Sequence, residues 1–174
     1  MSNGFEAAKG QRNLLERLMD KIPGYRGFQD RELRRDVDKL QREHLGKELG
    51  RIKGTLRELA RRYTDAGQIA ALGGFDRIDR TLDGVSQAVR FADYGATGIF
   101  DAVKIGDAEL ARLYEHDLAV LDDIAALDAA VGQVPVPGGD DPAAALAAVE
   151  QSVRALDEKW KRRKEVVSNV VATR

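Results

Sequence analysis

Residues 30–63 read DRELRRDVDKLQREHLGKELGRIKGTLRELARRY, and the spacing of their apolar residues decides the fold. Leu33, Val37, Leu40, Leu45, Leu49, Ile52, Leu56, Leu59 and Tyr63 recur at steps of three, four and once five. Such spacing places them on one face of a helix and fits no strand. The steps do not sustain a seven-residue repeat, so the stripe belongs to a helical bundle and not to a coiled-coil seam. His44 lies at the five-residue step and reads as a half-buried structural histidine. Neither it nor His116 has a second ligand at metal-binding spacing, and the Glu-x-x-His pair that builds di-iron sites in bundles is absent.

Three glycines, Gly46, Gly50 and Gly54, are set four apart in this helix. Each costs about 1 kcal/mol relative to alanine in a helix interior. They fall nearly on one line beside Leu45, Leu49 and Ile52. One reading is a groove in which another helix, or another copy of the chain, packs closely. The other is glycine tolerated on a solvated side. The small-residue packing of membrane helices does not apply, because this helix is too charged for lipid.

The chain has 174 residues, enough for one domain, 1–174, with a sizeable core. It is 43% hydrophobic and 33% charged with four prolines, a balance that suits a helical bundle. The lack of cysteine excludes disulfides, thiolate metal sites and a cysteine nucleophile. The opening MSNGFEAAKGQRN lacks the apolar core of a signal peptide, and no window reads as a bilayer span, so a cytoplasmic soluble protein is expected.

A net charge of −1 hides a segregation along the chain. Residues 1–64 hold 16 Lys/Arg against 10 Asp/Glu, residues 65–142 hold 5 against 15, and residues 143–174 hold 7 against 4. Either the acidic middle packs against the basic outer segments, or the basic faces are displayed to an anionic partner.

Before the long helix, residues 5–22 read as a short helix that stops at Pro23-Gly24. The connector IPGYRGFQD (22–30) carries Tyr25 and Phe28, either as an exposed docking loop or, for Phe28 with Leu33, as a hydrophobic staple on the long helix. The runs LLERLMDKIPGYRGFQDRELRRDVDKLQREHLGKEL (14–49), FADYGATGIFDAVKI (91–105) and LYEHDLAVLDDI (113–124) resemble a family of small bacterial all-helical proteins of no established activity. The resemblance implies no catalytic residues, and it implies a membrane-scaffold or envelope-stress setting for the partners.

Downstream, Phe75, Ile78, Leu82, Val85, Val89 and Ala92 form a helical stripe. Residues 91–106 contain Gly95, Gly98 and Gly106 and several apolar side chains available to bury. This segment lacks the Gly-Lys pair of a phosphate-binding loop and reads as a connector plugging the bundle end, with a ligand pocket as the lesser alternative. Asp107 can cap a helix whose broad stripe (Leu110, Leu113, Leu118, Leu121, Ile124, Leu127, Val131) implies more than one neighbour. Glu115, His116 and Asp117 are adjacent and point to different sides, so they form no triad. Residues 132–142 are a Pro/Gly linker that ends in Asp141-Pro142, a cap and first position for the last helix. That helix carries Lys159, Lys161, Arg162, Arg163 and Lys164 around Trp160. These are either an anionic-surface patch or a solvated face with Trp160 in the core and its neighbours opposite the acidic middle.

The expected fold is all-α: an elongated antiparallel bundle of four long helices plus a short N-terminal one, with neighbours packing in sequence through residue 106. The linker would let the last helix dock separately or swap between copies. The expected function is a non-enzymatic scaffold or adaptor that self-associates or docks on a protein partner through helix–helix contacts, using Gly46, Gly50, Gly54, Tyr25 and Phe28. The alternative is a peripheral binder of anionic membrane, or less favourably of nucleic acid, through the basic helices including Arg34, Arg35 and Arg42. No residue pattern points to a catalytic centre, a metal, a cofactor or a small-molecule substrate.

Overall fold

The computed structural model describes residues 14, 16–18, 20–22, 34–92 and 107–172, with side-chain surroundings described for 39–92, 111–163 and 165 of the long helices and their connections. The described residues are helical with short turns and contain no strand, and the protein is an all-α bundle. Four long helices are α1 (Arg34–Asp65), α2 (Leu72–Arg90), α3 (Asp107–Gly132) and α4 (Ala143–Ala172). Residues 14–21 are helical where described, and Leu18 and Ile22 reach the core.

The apolar stripes become the interior. Leu45, Leu49, Ile52, Leu56, Leu59 and Tyr63 of α1 are buried, as are Phe75, Ile78, Leu82, Val85 and Val89 of α2. The five-residue step on α1 is resolved by Gln41, only 2% exposed, which occupies the register that Leu40 leaves half open. With Gln41 included the steps are all three or four. A polar residue holds a core position there, and its Nε2 is buried without a hydrogen-bond partner. His44 is half-buried, as its register predicts.

The connections are built by local rules. The α1 end forms a Schellman turn: Gly67 at φ +69 lets the Gln68 N–H reach Tyr63 O at 2.9 Å and the Gly67 N–H reach Thr64 O at 3.0 Å. A 3-10 turn, Ile69–Ala71, leads directly into α2. In the linker, Pro137-Gly138 sits inside a turn closed by the Gly139 N–H on Val136 O, with Gly138 at φ +88 as a type II turn requires. Asp141 caps α4 by accepting from the Ala143 N–H at 3.1 Å.

Topology departs from packing in sequence order. α1 lies against α2 and α3, and α4 lies against α3 and α2, so the helices circle the core as α1, α2, α4, α3. Consecutive α2 and α3 are diagonal. Arg57–Asp79 with Lys53–Asp83 shows α1 and α2 antiparallel, and Arg163–Asp117 with Lys159–Asp123 shows the same for α3 and α4. Arg77–Glu150 and Arg51–Asp128 tie the two hairpins side by side, with both hairpin turns at one end.

The charge blocks meet inside the molecule. Lys21 pairs with Asp122 at 2.5 Å, Arg51 with Asp128 at 2.8 Å and Lys159 with Asp123 at 2.6 Å. Exposed pairs of this kind contribute about 0–1 kcal/mol each. Their consistent placement across helix boundaries gives register more than strength.

Candidate functional site

A concave surface formed by regular helices lies between α1 and the C-terminal half of α2. On α1, Lys39, Glu43, Gly46, Gly50 and Lys53 succeed one another at steps of three and four, so they share one face beside the core stripe. From α2, Asp83, Ser86, Gln87 and Arg90 supply the facing wall, and Phe91 stands at its end. Together they bound a groove of about 690 Å³.

Gly46 and Gly50 make its floor. A Cβ built at either position meets nothing within 4 Å, so no part of the described chain uses the room the missing side chains leave. Gly54 is equally open, yet it lies outside the groove lining. The groove is closed beside it by Lys53, which bridges to Asp79 at 3.7 Å and to Asp83.

The lining is predominantly cationic: Lys39, Arg42, Lys47, Lys53 and Arg90 against Glu43 and Asp83. Both carboxylates already face a lysine, Glu43 that of Lys39 at 4.0 Å and Asp83 that of Lys53. Lys47 and Arg90 are exposed and, among the described residues, have no ion-pair partner. Phe91, expected among the residues available to bury, is instead 62% exposed.

The other sequence-derived positions are distributed differently. Tyr25 and Phe28 lie outside the described residues, as does the side chain of Lys164. Arg163, expected on an exposed basic patch, stands inside the bundle. It is 7% exposed, donates to Asp117 at 2.7 and 3.2 Å, and its guanidinium carbon lies 5.2 Å from the Trp160 ring centre. Lys159 pairs with Asp123, Lys161 with Asp157 at 2.5 Å, and Arg162 lies 3.7 Å from Glu158. The four described ones, Lys159, Lys161, Arg162 and Arg163, therefore form no continuous cationic patch. Trp160 is buried with Lys159 and Arg163 turned to the acidic helix α3, while Lys161 and Arg162 stand beside carboxylates of α4 itself.

Two other places gather polar side chains. A second cavity of about 690 Å³ lies at the hairpin turns, lined in part by Tyr63, Ile69, Gly74, Asp141 and Leu146. Its polar groups serve the fold: Tyr63 donates to Pro135 O at 2.7 Å and Asp141 caps α4. Burial, and secondarily Asp141, pushes the Tyr63 phenol above its usual range. Around the Asp117–Arg163 pair, Glu115 faces solvent, His116 is half-buried and Asp117 is sealed, so the three adjacent residues diverge. Among the described residues no three His, Asp or Glu side chains converge as metal ligands, and no helix is long and apolar enough to cross a membrane.

Comparison with protein-family models, with curated proteins and with solved structures finds no match.

Proposed function

We propose that the protein is a non-enzymatic helical adaptor that docks a helix of a partner protein in the groove between α1 and α2. One observation carries this reading. Gly46 and Gly50 stand in the middle of a 32-residue helix, each costing about 1 kcal/mol in helix propensity, and the described chain places nothing over them. Glycine lets a helix backbone be approached closely, and here that approach is open only from outside. The resemblance of the quoted runs to small bacterial helical proteins extends the proposal to an envelope- or membrane-stress assembly, in the cytoplasm.

The reading as a peripheral binder of anionic surfaces is less well supported. Arg163 is buried, and Lys159, Lys161 and Arg162 have carboxylates beside them.

Light-scattering mass of the protein purified with its partner from its native cell tests the adaptor. Gly50→Leu should reduce the mass to that of the free chain, whereas Gly54→Leu, the same change just outside the groove, should leave the complex intact. Equal masses for both variants and the parent chain would remove the groove from the account.

A further inference from the structure

We infer that the occupant of this groove is an acidic amphipathic helix of a different protein, its carboxylates on Lys47 and Arg90 and an apolar side chain on Phe91. The inference rests on the docking role assigned to the groove and adds the chemistry of what docks.

Charge selects the sign. Of the five cationic side chains that line the groove, Lys39 and Lys53 stand beside its two carboxylates, Arg42 is buried and engaged within the chain, and Lys47 and Arg90 remain exposed. Lys47 on α1 and Arg90 on α2 line the groove from its two helices and have no ion-pair partner among the described residues. Unpaired cations on both walls favour an anionic occupant and oppose a basic one.

Shape selects a helix. Gly46 and Gly50 are separated by about one turn, roughly 6 Å of helix rise. A crossing helix can settle into a notch of that length, whereas a flat bilayer surface reaches the rim and leaves the floor empty. Phe91, exposed at the mouth, is a large apolar group beside a polar groove, the arrangement in which an aromatic side chain anchors a partner.

Complementarity argues against a second copy. Most of the described acidic side chains of α2 and α3, namely Asp79, Asp83, Asp122, Asp123 and Asp128, are paired with lysines and arginines of their own chain, and the exposed Asp76 and Glu115 stand singly on diagonal helices.

Fluorescence anisotropy with two designed helical peptides tests this. The peptides share one apolar face and carry either glutamates or lysines on the other. The acidic peptide should bind at low salt, weaken as salt rises, and lose at least about tenfold in affinity with Lys47→Glu/Arg90→Glu. Gly50→Leu should abolish binding and Gly54→Leu should spare it, with circular dichroism confirming helicity in each. If both peptides bind equally and Gly50→Leu stops both, the groove docks helices and the acidic preference is overturned. If the acidic peptide fails to bind, or binds regardless of Gly50→Leu, the inference is overturned. Anionic vesicles that bind the chain equally with and without Gly50→Leu, and displace the peptide, would assign the cations to a membrane surface and overturn it as well.

Discussion

Arg163 crosses from α4 to hold both carboxylate oxygens of Asp117 on α3, Nε to Oδ1 at 2.7 Å and Nη2 to Oδ2 at 3.2 Å, with both side chains almost sealed from water. Neither charge is tolerable there alone. The fork geometry satisfies the two groups together, and it works only in one register of α3 against α4.

Removing one partner should therefore be far worse than removing both. Asp117→Ala is expected to cost about 3–5 kcal/mol, because the buried Arg163 guanidinium loses the carboxylate that holds it in a two-bond fork. Asp117→Leu combined with Arg163→Met should recover most of that loss. Chemical denaturation of the three proteins gives the comparison, and equal costs for the single and double variants would contradict it.

Gly54 offers a stability gain without a functional cost. Its Cβ position is empty and lies off the groove. Gly54→Ala should raise stability by about 0.5–1 kcal/mol through helix propensity, seen as a higher denaturation midpoint at unchanged slope, with helix docking unaltered.

Tyr63 links the end of α1 to the linker through its donation to Pro135 O. Tyr63→Phe keeps the ring, which packs 5.4 Å from that of Phe75, and removes only the hydroxyl. The expected loss is about 1 kcal/mol, and hydrogen exchange should quicken at 133–139 more than in the helices.

Acid should loosen the α3–α4 hairpin through His116. Desolvation holds its pKa below the ordinary imidazole value. Arg163 and Lys159 add to that depression, while Asp117 and a hydrogen bond to the Lys159 backbone partly oppose it. Nε2 is buried and has no hydrogen-bond partner among the described residues, so none of these accepts a proton placed there. In the unfolded chain His116 takes a proton near about pH 6.5. Its contribution is thus fully present above that pH and is lost as the pH falls from there toward the lower folded value. Denaturation midpoints across this range should slope less in His116→Gln than in the parent chain; identical slopes would contradict the assignment.

Much of the architecture was legible because apolar periodicity reports directly on burial. The α1, α2 and α4 stripes follow from spacing, the Asp141-Pro142 start of α4 follows from capping chemistry, and of the two readings of Trp160 the buried one is observed. Charged and polar core residues escaped the same logic. Apolar spacing selects Leu40 over its neighbour Gln41, and the basic run groups Arg163 with exposed lysines. The missed signal lay in register: Asp117 continues the Leu113, Leu118, Leu121 face, and Arg163 follows Val153, Leu156 and Trp160 at helical steps. A charge of each sign on two core registers implies that they meet. Helix order around the core was not legible, since no residue pattern in 91–106 states which neighbour the returning chain will choose. At the groove, the glycine line could be read from sequence. Its facing wall could not, because Arg90 and Phe91 become partners of Gly46 and Gly50 only once α1 and α2 are packed.

The most direct measurement is the yield of photo-crosslinks from a reactive side chain placed at Gln87, which lines the groove, compared with one at Ala155 on the outer face of α4. A discrete protein adduct formed in the native cell from position 87, missing from position 155 and lost when Gly50→Leu fills the floor, is the predicted result. Adducts that are equal from both positions, or unchanged by Gly50→Leu, would contradict a helix-docking groove between α1 and α2.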